Sequence, residues 1–222
     1  MVSTMLPLLQ TLSRLLKETT TDTSTLRIGY GNDAIRHILS LYKWSWSAKK
    51  HDLTVVADDQ EYVLSTEITD YSIDRGIKEV YVAGVKISPI DFSRKGDITI
   101  SPTNTQVFYL TPDYRTIGFL KTIDGTEDID IWAYREHTDV SDTTTSFAIT
   151  LPDNMRNPVA IYMKSLVHSG KRQRNDATNA LLEFKQAIDE ARATEASAKI
   201  KDAPRTVGNV FTYNNFKRTY TI

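Results

Sequence analysis

Residues 152–201 carry the longest helical periodicity in this 222-residue chain, and they predict two helices joined by a turn. Pro152-Asp153-Asn154 marks the start of the first helix, and Ser169-Gly170 marks its end. Between these signals the apolar residues recur at spacings of three and four: Val159, Tyr162, Met163, Leu166 and Val167. Such a stripe must be buried against other elements, so we expect the rest of the fold to be organised around this helix.

The second helix of the pair is predicted to begin at Asn175 or Asp176, because either residue is a good N-cap. Its apolar face consists of Ala177, Ala180, Leu181, Phe184, Ile188 and Ala191. Beyond Ala191 the stripe contains only alanines, which favour a helix but offer little surface to a core. We therefore expect the end of this helix, before Pro204, to project from the body and to lie against another subunit.

Two shorter helices are predicted near the N-terminus. Ser3 or Thr4 caps the first, whose apolar stripe is Met5, Leu8, Leu9, Leu12, Leu15 and Leu16. A threonine-rich polar linker follows, and Asn32 or Asp33 then caps the second helix. Its stripe is Ile35, Ile38, Leu39, Tyr42 and Trp46. Trp44 and Trp46 are two residues apart, which indicates that the chain changes from helix to strand there, with these aromatics at the domain junction.

Between His51 and Phe147 the hydrophobic period changes to the alternation of strands. Strand pairs occur at 53–55, 62–64, 80–82, 85–87, 98–100, 107–109, 117–119 and 129–131. Ala83-Gly84 and Asp124-Gly125 are two-residue hairpin signals, which favour antiparallel pairing. Because the helices flank these strands instead of alternating with them, the sequence predicts an α+β fold in which an antiparallel β-sandwich or small barrel is inserted into a helical body.

The predicted organisation has six parts, the last of which is an extended arm. They are an N-terminal amphipathic helix (1–18), a polar linker (19–29), a helix of the helical body (30–50), the β-domain (51–150), the helical pair (151–203) and the arm (204–222). The arm is aromatic, β-prone and basic, without an acidic residue, and such a segment is expected to become ordered on a partner. Its predicted contact residues are Val207, Phe211, Tyr213, Phe216, Lys217, Arg218, Tyr220 and Ile222.

Composition argues against several classes of protein. With 27 basic and 28 acidic residues the formal charge is −1, so the chain as a whole is not drawn to nucleic acid or to an anionic membrane. It contains no cysteine, which removes disulfides and thiolate metal sites. The apolar run from Leu6 to Leu16 is too short to span a bilayer, and we expect neither a targeting signal nor contact with a membrane.

No arrangement of residues predicts catalysis or a cofactor. The four histidines, His37, His51, His137 and His168, are scattered without the spacing of a metal site. Glu127, Asp128 and Asp130 could hold calcium, but a solvated turn is favoured because the spacing is not that of an EF-hand. Lys171, Arg172 and Arg174 form the densest basic cluster, for which an exposed hinge is favoured over a nucleic-acid site because no aromatics are interleaved.

The order of the parts carries a resemblance. An N-terminal helix ends in Tyr42-Lys43-Trp44-Ser45-Trp46 and is followed by the segments 60–64 and 79–85, the second a hairpin. A later strand, Asp130-Ile131-Trp132-Ala133-Tyr134, leads through 149–153 into the helical pair. In this order the segments between about Tyr30 and Lys201 resemble the head-to-tail connector proteins of tailed bacteriophages.

The resemblance implies a non-enzymatic virion protein that forms a ring, expected to be a dodecamer, in the neck between capsid and tail. Its implied partners are the portal protein, neighbouring copies and a tail or further neck protein, around DNA that is enclosed without sequence-specific binding. Assembly would take place in the host cytoplasm. The alternative is a phage tail or capsid-surface protein whose β-domain binds a glycan through Trp132, Tyr134 and Tyr114, although aromatics in strands more often belong to a core.

Overall fold

The computed structural model describes residues 1–56, 60–96, 106–121 and 127–202, with side chains as far as Ser197. The helices in these ranges are α1 (Leu6–Leu15), α2 (Thr25–Leu41), α3 (Leu64–Glu67), α4 (Arg156–Gly170) and α5 (Arg174–Asp202). The strands are β1 (Val2–Thr4), β2 (Ala48–Leu53), β3 (Glu61–Val63), β4 (Ile77–Val82), β5 (Val85–Ile90), β6 (Val107–Leu110), β7 (Thr116–Phe119), β8 (Ile129–Tyr134) and β9 (Ser146–Leu151). The predicted α+β class is confirmed.

Helix α4 lies at the centre of the first of two hydrophobic cores and contacts α1, α2 and α5. Its predicted stripe is largely buried, with Val159 and Met163 at 0% exposure. The stripe of α5 is also buried, except that Leu181 is 46% exposed. The assignment of Leu181 to the core was therefore wrong. The other five residues of that stripe already cover α4, and Leu181 lies on the flank of the helix.

Helix α1 starts later than predicted because the chain before it forms a strand. Ser3 and Thr4 do not cap the helix, since β1 pairs antiparallel with β9 in a two-stranded sheet. The N-cap is Met5, which has no side-chain capping bond. Backbone pairing of the β-branched segment with β9 satisfies more groups than a single capping hydroxyl can. Strand β9 thereby joins the helical core, although its sequence position follows the large sheet.

Helix α2 begins at Thr25 with Ser24 as its N-cap, eight residues before Asn32, the first of the two predicted caps, Asn32 and Asp33, and the polar linker is correspondingly shorter. The Ser24 hydroxyl caps it by accepting a hydrogen bond from the backbone N–H of Arg27 at 3.4 Å. Gly31 lies inside the helix, where a Cβ would come within 2.2 Å of the sulfur of Met5. Because Gly31 has no side chain, Met5 just before α1 can pack closely against α2. The glycine does not mark a turn. The helix ends at Leu41, so Trp44 and Trp46 lie beyond it.

The second core belongs to a curled seven-stranded sheet with the order β2-β8-β4-β5-β6-β7-β3. The hairpin predicted at Ala83-Gly84 is confirmed, with φ of 49° and 75° at its two residues. The expectation of an entirely antiparallel sheet was wrong, because β5 and β6 pair in parallel. A parallel pair needs a long connection, and residues 91–106 provide one. The strand predicted at 98–100 and the turn at Asp124-Gly125 lie outside the described residues.

Candidate assembly surfaces

The junction between the two cores contains a buried arginine. Arg75 is 8% exposed, and its Nε and Nη1 donate to the hydroxyls of Ser72 and Ser47, each at 3.1 Å. Its Nη2 donates to the backbone carbonyl of Arg135. Burial lowers the pKa of Arg75 from its usual range. These bonds join the residues just before β2 to the loop after β8, so the guanidinium ties the helical body to the sheet.

Arg135 continues this network into the strand that packs on the helical core. Its Nη2 forms an ion pair with Asp70 at 2.7 Å, and its Nη1 donates to the carbonyl of Ala148 in β9 at 3.1 Å. The other carboxylate oxygen of Asp70 accepts from the Thr138 hydroxyl at 2.9 Å. Because both ends of the ion pair are also held by other hydrogen bonds, the junction is fixed in one geometry.

Aromatic residues fill the segment between α2 and β2. Trp44 is 1% exposed, stacks on Trp46 at 5.8 Å between ring centroids, and donates its indole N–H to the carbonyl of Ile38 at 2.8 Å. Tyr42 meets Trp44 edge to face at 5.3 Å. The Trp44 ring therefore closes the end of α2 with its one polar atom satisfied.

The last described side chains of α5 are attached to this junction. Arg192 stacks over the ring of Tyr42 at 4.3 Å and donates to its hydroxyl at 3.1 Å. Glu195 accepts hydrogen bonds from the backbone N–H and the hydroxyl of Ser45, the first at 2.6 Å. Ala193 and Ala196 are exposed, as expected for the thinned stripe. The C-terminal part of α5 is therefore attached to the segment between α2 and β2.

A second polar cluster holds the loop after β8 against α2. The side-chain Nδ2 of Asn32 donates to the carbonyl of Val140 at 2.9 Å, and its Oδ1 accepts from the Val140 N–H at 3.3 Å. The same Oδ1 lies 3.0 Å from Nε2 of His137, which is 8% exposed. Burial lowers the pKa of His137 to about 4, so its imidazole is neutral and Nε2–H is the donor.

Two neighbouring grooves, of about 560 and 640 Å³, run along the junction between the helical body and the sheet. They share Lys43, Asp74 and Arg75. Apolar side chains of the sheet contribute to the first groove, while the end of α2 contributes Leu39, Leu41 and Tyr42 to the second.

The eight arm residues singled out from the sequence all lie outside the described residues: Val207, Phe211, Tyr213, Phe216, Lys217, Arg218, Tyr220 and Ile222. Their role remains a prediction. The structure bears on it through the position of α5, whose end fixes where the arm begins.

The acidic residues considered as a calcium site do not converge. Asp130 accepts from Lys50 at 3.0 Å, and Lys50 also reaches Asp52 at 3.2 Å. Asp128 is exposed, and its backbone carbonyl accepts from the N–H of Ala83. In the described ranges no group of three or more histidine or acidic side chains is placed to hold a metal ion.

Chelation is therefore expected to leave stability unchanged. Adding excess EDTA should not shift the thermal unfolding midpoint, because only an ion bound to the folded state would have stabilised it, by RT ln(1 + c/Kd) for a free ion concentration c. The measurement is a thermal melt followed by circular dichroism with and without chelator. A clear decrease in the midpoint would restore the site at Glu127, Asp128 and Asp130.

The three aromatic residues considered for glycan binding lie in different environments. Tyr134 is 7% exposed, and Trp132 is half-buried beneath Lys78, whose Nζ lies 5.7 Å from its ring. Tyr114 is 54% exposed in the turn between β6 and β7 and lines the first groove, to which the other two do not contribute. These side chains do not form a shared stacking platform, so nothing in the site favours the glycan reading.

The buried polar groups in the described part of the molecule hold its two cores and its loops together, and two grooves run along the junction. A family model described as SU10 adaptor protein matches residues 3–208, and the chain belongs to this family. The resemblance to phage head-to-tail adaptors is thereby confirmed, and the protein is a phage structural adaptor. No curated protein matches the chain. In its described part no helix is long and apolar enough to cross a bilayer.

Sequence reasoning missed the residues that form the junction. Arg75, Arg135 and Asp70 follow no periodic pattern, and apart from Ser72 their partners are distant in the chain. Asn32 was assigned to helix capping, whereas its amide bonds Val140, 108 residues away. A polar residue on the buried stripe of a helix was the one signal available, since such a group must find a partner in the core.

Proposed function

We propose that the protein is a ring-forming head-to-tail adaptor that docks under the portal and joins capsid to tail around the DNA channel. The family match over residues 3–208 is the observation that carries this proposal. Heterologous contacts between copies can close a ring, which we propose to be a dodecamer in the virion neck, assembled in the host cytoplasm. A net charge of −1 suits a channel that encloses DNA without gripping its phosphates. A tail or further neck protein would bind the distal side.

Within this proposal, residues 205–222 attach each subunit to the portal or to the next copy. The position of α5 supports this, because Glu195 holds the helix at the junction and residue 205 follows it by ten residues. About twenty residues of extended chain can span roughly 60 Å, which is ample to reach another subunit. The aromatics would fill pockets on the partner, and Lys217 and Arg218 would suit an acidic rim.

Deletion of Gly208 to Ile222 tests the role of the arm. We expect an unchanged circular dichroism spectrum and melting midpoint, because the residues of the two described cores all precede the arm in the chain. We also expect loss of stable attachment to purified portal rings or to other copies, measured by light scattering after size-exclusion chromatography. A control with Phe211, Phe216 and Tyr220 replaced by serine keeps the length of the arm and should lose attachment as well.

Two outcomes would contradict this part of the proposal. If the truncated chain fails to fold, the arm is an intramolecular element. If it folds and still assembles with portal, attachment depends on other surfaces.

A further inference from the structure

The two grooves along the junction adjoin each other, because they share part of their lining, and we call them together the junction groove. Tyr114 on the side of the sheet is 54% exposed, and Leu41 at the end of α2 is 38% exposed. Volumes of about 560 and 640 Å³ lie within the range of roughly 300–1,000 Å³ that is typical of sites holding a bound group. Apolar side chains exposed along one depression mark a surface that another segment covers.

Helix α5 brings the arm to the edge of this groove. Its Arg192 stacks on Tyr42, which lines the groove, and its Glu195 bonds Ser45. The helix continues to Asp202, so its last ten residues carry the chain about 15 Å past Tyr42. The arm, residues 205–222, therefore begins close to a junction groove, and its length allows it to reach that of another copy.

The arm supplies side chains that such a groove can hold. Its large apolar residues are Val207, Val210, Phe211, Tyr213, Phe216 and Tyr220. Each aromatic ring removes about 150–250 Å² of surface from water when it is covered. In an extended chain alternate residues point to the same side, so Phe211 and Tyr213 would enter the groove together. Extended segments that place alternate side chains in pockets are a common ligand of protein grooves.

Carboxylates at the second groove offer partners to the basic residues of the arm. Asp74 and Glu136 line this groove and are exposed, and neither forms an ion pair among the described residues. Of the cations in the lining, Arg36 is paired with two other carboxylates at 2.7 Å and Arg75 is buried and hydrogen-bonded, which leaves Lys43. The arm contains three basic residues and no acidic one, so it can pair with both carboxylates.

The position of α5 favours a neighbouring copy as the source of the arm. To enter its own groove, the arm would have to reverse after α5 and run back about 15 Å along the helix. Pro204 and the β-branched Thr206 and Val207 favour an extended chain there, and the first glycine after the helix is Gly208. Arm and groove are also different surfaces of one subunit, so their contact between copies is heterologous, which is the kind of contact that closes rings.

We infer that the junction groove of each subunit binds residues 205–222 of a neighbouring copy, with aromatic side chains of the arm in the groove and its basic residues beside Asp74 and Glu136. The inference rests on the proposed function, and it chooses the neighbouring copy over the portal as the partner of the arm. Each subunit gives its arm to one neighbour and receives the arm of the other. Loss of either the arm or the groove therefore weakens every contact in the ring.

Engineered disulfides test the inference, because the chain has no cysteine of its own. Full-length variants carry one cysteine in the groove, L41C or Y114C, or one in the arm, F211C or F216C, and the arm variants carry a tag that increases their mass. Each groove variant is co-expressed with each arm variant, oxidised mildly and run on a non-reducing gel. The control replaces the groove cysteine by L182C, at a leucine of α5 that is 59% exposed. A disulfide requires Cα atoms within about 7 Å, so it reports direct contact.

We expect a disulfide of the mixed mass in at least one of the four pairings and none with L182C. A second measurement needs no cross-link. L41D places a charge in the groove, and it should weaken self-association at least about tenfold, as should the deletion of Gly208 to Ile222, measured by light scattering over a range of concentrations. The two changes combined should be no more severe than the deletion alone, because arm and groove form one contact.

The other outcomes overturn the inference in distinguishable ways. If the double variant L41C/F211C forms its disulfide within one chain and the mixed pairs do not link, the arm covers its own groove. If no pairing links, the groove is not the site of the arm, whatever the effect of L41D. If, in addition, deletion of the arm abolishes binding to purified portal rings and leaves self-association intact, the arm binds the portal and the proposed function stands. If the unmodified protein neither self-associates nor binds portal, the proposed function fails, and this inference fails with it.

Discussion

Replacing Phe184 by alanine is expected to lower the free energy of unfolding by about 3–5 kcal/mol. The ring is 6% exposed on α5, and it lies 5.0 Å from the ring of Tyr162 on α4 and 5.7 Å from that of His37 on α2. One side chain thus joins three helices, of which α2 comes from a distant part of the chain. Its removal leaves a cavity that the long helices cannot close by local movement, so the loss exceeds the transfer free energy of the ring.

The matched control is Leu182→Ala, two residues earlier on the same helix. Leu182 is 59% exposed, so this change keeps helix propensity while removing little buried surface, and it should alter stability by no more than about 0.5 kcal/mol. Urea unfolding followed by circular dichroism measures both variants. Equal stabilities for the two would show that α5 does not complete the helical core.

The helical pair was predictable because its evidence is local. The stripe that contains Val159 and Met163 repeats with the period of a helix. This period identifies the buried face of the helix without any knowledge of the elements that cover it. Leu181 shows the limit of this reasoning. Its position on a helical wheel is compatible with the core, and only the placement of α4 decides that it stays exposed.

Errors at helix starts arose where a residue serves tertiary packing. Gly31 resembles a turn signal in the sequence, but it permits the approach of Met5 to α2, which no local pattern reveals. The pairing of β5 with β6 was missed for a similar reason. Strand alternation predicts which residues face the core, but it carries no information on strand direction across a long connection.

The candidate surfaces divide in the same way. The cluster Lys171, Arg172 and Arg174 is evident in the sequence because its members are adjacent, and its position at the turn between α4 and α5 was predicted correctly. What the sequence could not give was the cavity that Arg172 and Arg174 line together with Leu181. Its formation depends on how α4 and α5 meet in space.

The second large expected effect is a loss of stability at acidic pH, which arises from His137. Its Nε2–H donates to the same Asn32 oxygen that accepts from the backbone of Val140, so the ring is part of the contact between α2 and the loop after β8. Burial is the main cause of the lowered pKa, while Asp139 raises it and Arg36 lowers it further. The second ring nitrogen, Nδ1, is buried without a partner among the described residues, so a proton added there has no acceptor.

The direction of the pH effect follows from the two protonation equilibria. In the folded protein the pKa of His137 is about 4, and in the unfolded chain it is near 6.5. The unfolded chain therefore binds a proton first as the pH falls. The stability that His137 contributes is complete above about pH 6.5, decreases as the pH falls toward 4, and changes no further below that. Over this window the loss is on the order of 3 kcal/mol.

His137→Gln isolates this contribution, since glutamine keeps an N–H donor for Asn32 but does not titrate. Burial also lowers the pKa of His37 and of His51, so both proteins will lose stability in acid, and the variant should lose less. Urea unfolding at several pH values between 7.5 and 4.5 gives the free energy of unfolding of both proteins as a function of pH. We expect the difference between the two free energies to change by about 2 kcal/mol across that range, in favour of the variant at low pH. The slope of the difference is independent of any packing cost that the substitution adds at neutral pH. Parallel curves would mean that His137 binds its proton as readily when folded as when unfolded, and they would contradict a pKa lowered by burial beside Asn32.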